Sequence, residues 1–469
     1  MRMELSNQRI LVVGLGRSGF ATACFAAGQG AGVTVTDMAP EKDLAEFAAP
    51  LRAMDVRLEL GGHKPASFET ADQIVISPGV PHTIAPVRRA LACGVPVAGE
   101  LEFAARFVRE PMIAITGTNG KTTTTELTGR MLENSGFRVF TGGNIGTPLI
   151  AYADKGPRAQ KIVLEVSSFQ LDTVRTFHPH IAVVLNISPD HMDRYPDFSA
   201  YAKSKFRIFE NQEKTDIAIL NGSDPLIRKM ARSIRSRKVY FAGQDRNHAG
   251  ADIRTDGIFL DACFDMPGAA DKEHTAGVAS EEGIFLDIAD ISIREPHNLE
   301  NVAAAGMAAL AAGATPKGIR SALRGFRGLS HRIEHVATIS NVRFFDDSKA
   351  TNVDAVARAL ECFSDPVILI MGGRSKDSDF SVLGPLVRRH VKHLVLMGES
   401  GREIASALSG EVNRDPVFAV DMQEAVSLAG RMAASGDVVL LSPACASFDM
   451  FSSYAQRGEV FAAAVKQLK

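Results

Sequence analysis

The sequence predicts an α/β protein of three domains: Rossmann-like at the N-terminus, a phosphate-loop type with a mainly parallel sheet in the centre, and Rossmann-like again at the C-terminus. Three observations carry that expectation. Short apolar runs alternate with helix-like stretches along most of the chain, the pattern of parallel strands joined by crossover helices. Glycine-containing turns directly follow several of these runs, as they do where a strand feeds a ligand-binding helix. A length of 469 residues exceeds one ordinary core and suggests about three.

Residues 9 to 99 hold the first series. Apolar runs at Ile10–Val13, Val33–Thr36, Ile74–Ser77 and Val95–Ala98 are separated by helix-like stretches such as Ala21–Ala27 and Val87–Ala92. A second series begins at Met112 and continues through Val139–Thr141, Ile162–Val166, Ile181–Leu185 and Ile217–Leu220. The alanine-rich Val302–Ala312 closes it and reads as a buried helix. Residues 243 to 296, richer in Gly, Asp and His, read as a β-rich excursion with strands at Gly257–Leu260 and Ile284–Ile288. The chain restarts near Gly328 with strands at Ile333–Ile339 and Val342–Phe345. It then alternates through Val367–Met371, His393–Met397, Val417–Val420 and Val438–Leu441 to a last helix over Ala455–Gln467. Gly-containing junctions near 99 and 328 divide the chain into domains 1–99, 100–328 and 329–469.

Composition excludes several function classes. Hydrophobic residues make up 45% and charged residues 23%, as in folded globular proteins rather than disordered chains. Lys+Arg of 52 against Asp+Glu of 54 leaves a net charge of -2, so there is no global basic field for nucleic acid or anionic lipid. The five cysteines, Cys24, Cys93, Cys263, Cys362 and Cys445, are scattered and never in C-x-x-C spacing, against both a disulfide framework and a zinc site. No segment approaches about 18 uninterrupted apolar residues, and Met1–Gln8 lacks the apolar core of a signal peptide. A soluble, unexported, cytoplasmic protein is expected.

The strongest chemical signal is Thr116-Gly117-Thr118-Asn119-Gly120-Lys121-Thr122-Thr123, between the apolar run Met112–Ile115 and a helical pattern over Thr122–Leu132. Backbone N–H groups at such a junction bind phosphate, the lysine adds a point charge, and the threonine hydroxyl can reach a metal. Ile115 stands where the first glycine of G-x-x-x-x-G-K-[ST] belongs, so this is a shorter variant of that loop.

Gly14-Leu15-Gly16-Arg17-Ser18-Gly19 matches the dinucleotide fingerprint in its proper setting, and Asp37 ends the next strand, where a ribose-binding acid lies. Taken alone this suggests NAD, although the same turn serves any diphosphate. Further strand ends carry Gly142-Gly143-Asn144-Ile145-Gly146 and Glu165-Val166-Ser167-Ser168-Phe169-Gln170. Glu165 would sit on the carboxyl edge of the sheet, where a carboxylate suits Mg²⁺ beside nucleotide phosphates. Asn186–Arg194 crowds Asp190, His191, Asp193 and Arg194 into one loop, a density more often functional than structural. Tyr201–Phe206 reads as an amphipathic helix whose lysines would ordinarily be solvated. In the last block, Phe345–Asn352, Gly372–Lys376 and Leu441–Asp449 each follow or end an apolar strand. Lys121, Arg332, Lys349 and Lys376 together suit a highly anionic reaction centre.

In sequence order, G-L-G-R-S-G, T-G-T-N-G-K-T-T, G-G-N-I-G, E-V-S-S-F-Q-L, D-H-M-D-R-Y, H-N-L-E-N, H-R-I-E, D-S-K-A-T-N and L-S-P-A-C-A-S-F-D resemble the Mur ligase family over nearly the whole chain. The last two segments, with Tyr454–Gly458, point to its D-glutamate-adding members. The resemblance implies an N-terminal domain binding a UDP-sugar, a central ATP-binding domain and a C-terminal amino-acid-binding domain. It reassigns the fingerprint from NAD to UDP, with Gly14, Gly16, Arg17, Ser18, Gly19, Asp37 and Ser77 bordering the nucleotide-sugar and Asn144 facing its carboxylate. Arg17, Met38 and Ala39 depart from common family choices.

For ATP, a co-substrate, the resemblance implies Gly117, Thr118, Asn119, Gly120, Lys121, Thr122 and Thr123, with Asn301, Arg332 and Asp347. Thr122 and Glu165 would serve one Mg²⁺, and His191 with a carbamylated Lys205 a second. Lys121, Asn144, His191 and Lys205 form the catalytic set, and Lys349, Thr351, Lys376, Ser447 and Tyr454 surround D-glutamate, with tyrosine at 454 where phenylalanine is familiar. The expected reaction is phosphorylation of UDP-N-acetylmuramoyl-L-alanine by ATP, then attack by D-glutamate on the acyl phosphate, in a monomer making a peptidoglycan precursor. Three alternatives stay open at this point: a sister ligase adding another amino acid, an NAD-binding oxidoreductase, and a nucleotide-dependent switch without ligase activity. Cys445, within the amino-acid loop, is expected to be a buried, inert thiol.

Overall fold

A computed structural model describes residues 5–155, 158–242, 250–261, 283–412 and 414–468. The fold is α/β throughout, built on three sheets. The first comprises β1 (Arg9–Val13), β2 (Gly32–Asp37), β3 (Arg57–Leu60), β4 (Gln73–Ile76) and β5 (Val97–Gly99), all parallel in the order β3-β2-β1-β4-β5. The chain winds outward through β2 and β3 and returns to β4 on the other side of β1. The carboxyl ends of β1 and β4 therefore flank a topological switch point, where open α/β sheets bind ligands.

The second sheet comprises β6 (Met112–Thr116), β7 (Val139–Gly143), β8 (Lys161–Glu165), β9 (Ile181–Val184), β10 (Ile217–Asn221), β11 (Arg237–Phe241), β12 (Gly250–Ile253), β13 (Gly257–Leu260) and β14 (Ile284–Asp287). Its order is β14-β13-β12-β11-β10-β9-β6-β8-β7, parallel except for the antiparallel β12-β13-β14 end. β6 is thus central and buried on both faces, which is why Met-Ile-Ala-Ile reads as an unbroken apolar run. The helix Pro296–Ala311 packs on this sheet with Asn301–Ala311 buried, as the sequence predicts for Val302–Ala312. Of the excursion, β13 and β14 stand where expected, while residues 243–249 and 262–282 lie outside the described residues.

The third sheet comprises β15 (Glu334–Ile339), β16 (Val342–Asp346), β17 (Val367–Gly372), β18 (Val391–Met397), β19 (Val417–Phe418) and β20 (Val438–Leu441). Its order is β15-β16-β20-β17-β18-β19, with only β15 antiparallel among these pairs. The late strand β20 inserts between β16 and β17. The loops following all three strands consequently emerge side by side.

The chain divides into two compact units, Met1–Ile187 with Ser199–Phe326, and Ser188–Phe198 with Arg327–Lys469. Within the first, the helix Glu100–Ala105 after β5 ties the N-terminal sheet to the central one. Glu102 is fully buried and accepts the backbone N–H groups of Arg175, Thr176 and Phe177 at 2.9, 2.9 and 3.0 Å, and the Thr176 hydroxyl at 2.7 Å. Burial acts to raise its pKa, but these donors favour the carboxylate and the net shift is downward. Glu100 is equally buried and accepts the Ile150 N–H at 3.0 Å; burial pushes its pKa up to about 7 against the pull of that bond and of the Gln170 side chain.

Candidate active site

At the N-terminal switch point, Gly14 follows β1 with φ +95° and donates its N–H to Thr36 O at 2.8 Å. A Cβ at Gly14 would lie 2.7 Å from Val80 Cγ2, and one at Gly19 would lie 1.9 Å from Gly14 O. The Ser77 hydroxyl, arriving from β4, donates to Gly14 O at 2.8 Å and closes the turn. The helix Arg17–Gly28 begins there with no side-chain cap at Gly16, so its first N–H groups face the carboxyl edge of the sheet. Asp37 accepts Leu15 N–H at 2.6 Å and Ala39 N–H at 2.8 Å. Its first observable role is to shape the two adjoining loops.

In the central sheet, the Thr116–Thr123 segment turns from β6 into the helix Lys121–Glu133. Gly120, with φ +84°, makes the left-handed turn into that helix, and a Cβ there would lie 2.1 Å from Asn301 Oδ1. Asn186, after the adjacent β9, locks the loop: its Oδ1 accepts Asn119 N–H at 2.8 Å, its Nδ2 donates to Asn119 O at 3.1 Å, and its carbonyl accepts Thr118 N–H at 2.9 Å. Lys121 Nζ donates to Gly117 O at 2.9 Å and Thr118 O at 2.8 Å, closing the loop on itself.

The neighbouring strand β8 brings Glu165 beside this loop. Thr122 Oγ1 donates to Glu165 Oε2 at 2.8 Å, and Asn144 Nδ2, from the loop after β7, donates to Oε1 at 3.0 Å. Glu165 is buried, and both side-chain partners are neutral. Lys205, on the helix Phe198–Phe206, is 2% exposed; its Nζ donates to Gly117 O at 2.8 Å and lies 4.5 Å from the centre of the Tyr201 ring. The ordinary expectation of a solvated lysine is therefore wrong for Lys205, because this helix packs its Tyr201, Ala202, Ser204 and Lys205 side inward while Lys203 remains exposed. The structure thus brings Lys121, Thr122, Asn144, Glu165, Lys205 and Asn301 around one loop, with Thr123 buried in the first turn of its helix.

His191 falls in the second unit, on the stretch Ser188–Phe198, with φ +60°. Asp190 anchors this stretch: its Oδ1 accepts His191 N–H at 2.9 Å and Lys376 Nζ at 3.3 Å, and its Oδ2 accepts Asn352 Nδ2 at 3.1 Å. Lys376, expected beside an amino-acid substrate, is thus paired with a carboxylate of its own chain.

The three neighbouring loops of the C-terminal sheet carry the remaining candidates. Asp347, after β16, accepts the Ser442 hydroxyl at 2.8 Å and Ile333 N–H at 3.3 Å; burial pushes its pKa up to about 7 against the pull of Arg332. His331 and Ile333 flank Arg332 with φ of +64° and +47°. Left-handed backbone at a β-branched residue is strained, and such strain collects where side chains must be aimed. His331 Nδ1 lies 2.7 Å from Asp346 Oδ2, which helps hold this conformation. Lys349 N–H donates to His331 O at 3.1 Å, and Lys349 Nζ sits 4.9 Å from the Tyr454 ring centre. Thr351 N–H donates to Lys349 O at 3.0 Å, while Ser447 is buried in the loop after β20. Cys445 is fully buried and burial pushes its thiol up to about 12, the inert state expected.

Family models match three consecutive stretches: "Mur ligase MurD-like, N-terminal domain" over residues 8–99, "Mur ligase middle domain" over 115–309 and "Mur ligase, glutamate ligase domain" over 331–445. The chain is 50% identical over 467 residues to the UDP-N-acetylmuramoylalanine--D-glutamate ligase of Desulfosudis oleivorans, covering 100% of this chain and 98% of that one. The chain belongs to the Mur ligase family. The ligase of the same name from Desulfatibacillum aliphaticivorans is 45% identical, with 99% and 100% covered. Among solved structures, the fold is similar to the UDP-N-acetylmuramate-alanine ligase MurC of Thermotoga maritima, with TM-score 0.60 at 18% identity over 99% of this chain and 100% of that one. It is similarly close to the MurF ligase of Thermotoga maritima in complex with ADP, with TM-score 0.60 at 15% identity over the whole of both chains.

Several residues of this Mur ligase shape the site without having been singled out for it. Asn186 and Tyr201 grip the phosphate loop, the latter by its hydroxyl 3.1 Å from Thr118 Oγ1. Arg457, 2% exposed, donates Nε to Ser348 Oγ at 2.9 Å, Nη2 to Ser348 O at 2.8 Å and Nη1 to Cys445 O at 3.1 Å. It ties the loop after β16 to the loop after β20, and burial pulls its pKa down to about 10. Its place beside Tyr454 in the sequence is the one signal that could have marked it; an arginine on a helix otherwise reads as surface.

Proposed function

We propose that this Mur ligase uses ATP to join D-glutamate to UDP-N-acetylmuramoyl-L-alanine in the cytoplasm, a step in making a peptidoglycan precursor. The observation that carries the chemistry is the phosphate loop set against Glu165, a buried carboxylate whose side-chain partners, Thr122 and Asn144, are both neutral. The full-length likeness to ligases of that name supports the choice of substrates.

Residues 1–99 are the UDP-sugar domain in this reading, with Gly14, Gly16, Arg17, Ser18, Gly19, Asp37 and Ser77 around the nucleotide. The helix start at Arg17 receives the diphosphate. UDP rather than NAD is the nucleotide there in this reading, a choice supported by the full-length likeness to UDP-N-acetylmuramoylalanine--D-glutamate ligases. Residues 100–328 bind ATP through Gly117–Thr123 and Asn301, joined by Arg332 and Asp347 of domain 329–469, which takes D-glutamate through Lys349, Thr351, Lys376, Ser447 and Tyr454. No helix among the described residues is long and apolar enough to cross a membrane. The enzyme acts as a monomer.

A carboxylate is a poor acyl donor, and transfer of the γ-phosphoryl group to it creates a leaving group. Lys121 exchanges its two loop carbonyls for phosphate oxygens and offsets the charge gathering there. Asn144 orients the acceptor carboxylate. The amine of D-glutamate, after losing a proton, attacks the acyl phosphate; the C–N bond forms and inorganic phosphate leaves. Holding the reactants together replaces encounters in solution with one aligned arrangement.

The site fits Mg²⁺, because Thr122 and Glu165 offer hard oxygen donors and, among the described residues, the buried carboxylate has no cationic side-chain partner. Thr122 and Glu165 would hold one ion, and His191 with carbamylated Lys205 a second. Carbamylation replaces an ammonium with a carboxylate-like oxygen ligand at a buried position. Bound there, the ions would neutralise phosphate charge.

The test is release of ADP and phosphate from UDP-N-acetylmuramoyl-L-alanine and ATP, with and without D-glutamate. D-glutamate should accelerate release, and Lys121→Ala should lower turnover about a thousandfold with the fold retained. Release indifferent to D-glutamate would refute the assignment.

A further inference from the structure

The Asp37 loop and the loop after β3 lie against one another at the carboxyl edge of the N-terminal sheet. Gly62 N–H donates to Asp37 O at 3.1 Å, and Gly61 N–H donates to Ala39 O at 2.9 Å, so backbone bonds bracket Met38 on both sides. Met38 is 66% exposed despite its apolar side chain. The Gly61-Gly62 pair, at φ +80° and +151°, lets the next residue, His63, turn back toward β2.

His63 is half-buried. Its Nδ1 lies 2.9 Å from the Thr36 hydroxyl, which is itself fully buried and also donates to Gly62 O at 3.4 Å. The ring stands edge-on to the buried Phe68, 5.5 Å between centres. One nitrogen is therefore held in place by Thr36. Among the described residues the other nitrogen, Nε2, has no hydrogen-bond partner. Burial keeps the ring's pKa below its ordinary value, opposed by the nearby Asp37 carboxylate, so the imidazole is neutral at physiological pH. Asp37 spends one carboxylate oxygen on Leu15 N–H and the other on Ala39 N–H. Among the described residues, His63 thus combines a fixed orientation with an uncommitted ring nitrogen at this end of the edge.

We infer that His63 is a specificity-determining residue that hydrogen-bonds the polar edge of the nucleotide's pyrimidine base, with the exposed Met38 against the base's apolar face. The inference rests on the reading of residues 1–99 as the UDP-sugar domain. The diphosphate belongs at the Gly14–Gly19 turn on β1, the ribose beyond it at the end of β2, and the base beyond that, beside the loop after β3. A neutral imidazole suits uracil, whose edge alternates carbonyl acceptors with an N–H donor. The Thr36 hydroxyl can accept from Nδ1 while keeping its bond to Gly62 O, or turn its one proton from Gly62 O to Nδ1, and so supports whichever tautomer the base selects. Cytosine replaces one carbonyl with an amino group and lacks the N3 proton, so it meets the same ring with a different pattern.

The experiment compares inhibition by UDP and CDP in wild type, His63→Ala and the neighbouring control Lys64→Ala. His63→Ala should weaken UDP about tenfold and narrow the UDP-to-CDP preference at least fivefold. Lys64→Ala should change neither. A UDP-to-CDP ratio identical in wild type and His63→Ala overturns the inference, since a purely structural role would weaken both nucleotides together. Should His63→Ala fail to fold, ¹⁵N-histidine spectra of the wild type decide: UDP must shift the His63 ring nitrogens, and unmoved signals refute the contact. Wild type that binds UDP but shows no His63 effect defeats this inference alone; wild type indifferent to UDP defeats the domain assignment itself.

Discussion

Gly120→Ala offers a sharp test of how the phosphate loop is built, because two separate costs can be assigned to one methyl group. Gly120 has φ +84°, and an L-residue in the left-handed region costs about 1–2 kcal/mol. The added Cβ would also lie 2.1 Å from Asn301 Oδ1 and 3.0 Å from its Cγ, so the Asn301 carboxamide must move. That carboxamide accepts the Thr124 hydroxyl at 3.4 Å and donates to Asn298 Oδ1 at 3.2 Å. Losing such bonds in a site 4% exposed adds about 1 kcal/mol or more. The expected destabilisation is about 2–4 kcal/mol, with a raised KM for ATP because Asn301 is displaced. Urea unfolding followed by far-UV circular dichroism measures it, the chain having no tryptophan to report by fluorescence. In an Asn301→Ser background the carboxamide is gone and only the backbone cost remains, so the two substitutions should couple by about 1–2 kcal/mol. Equal costs in both backgrounds would refute the steric account, and a cost below about 0.5 kcal/mol would refute both parts.

Arg457→Lys keeps a charge but loses the planar fork that reaches Ser348 and Cys445. We expect the KM for D-glutamate to rise at least about tenfold and stability to fall by about 2–4 kcal/mol, with the KM for ATP little changed; a normal D-glutamate KM would show that the loops hold without it. Glu100 and Asp347 are raised from 4.5 and 3.8 to about 7, so the folded state binds more protons than the unfolded chain in between, and stability should fall as pH rises from about 4 to about 7. Glu100→Gln removes one such group and should flatten that fall by up to about 3 kcal/mol; unfolding midpoints between pH 5 and 8 that match wild type would contradict the buried-acid assignment.

Much of the architecture was legible because it is written locally. β6, β8, β9 and β17 are buried on both faces and read as unbroken apolar runs. β3 carries no such run: Arg-Leu-Glu-Leu lies at a sheet edge and is a strand by its pairing with β2, and its inward Glu59 is satisfied by the Ser67 hydroxyl at 2.8 Å. β11 and β12 also lack a sustained apolar run, since Arg237 and Lys238 open one and Asp252 breaks the other. Val417–Val420 shortens to Val417–Phe418, where pairing with β18 ends and leaves Val420 exposed.

By itself the sequence determined the α/β class, the phosphate loop, the N-terminal turn and the family, because each depends on residues close together in the chain. Glycine at Gly120 and Gly14, lysine at Lys121 and the apolar strands before them specify backbone geometry and charge within a few residues. Only the tertiary structure decided that Lys205 is buried against Gly117 while Lys203 is exposed, that Asp190 holds Lys376 and Asn352, and that Arg457 joins two loops. Each of these is a polar group whose environment is supplied by segments distant in sequence. Burial is a property of the neighbours, and no local pattern of charge or hydrophobicity records which neighbours will arrive.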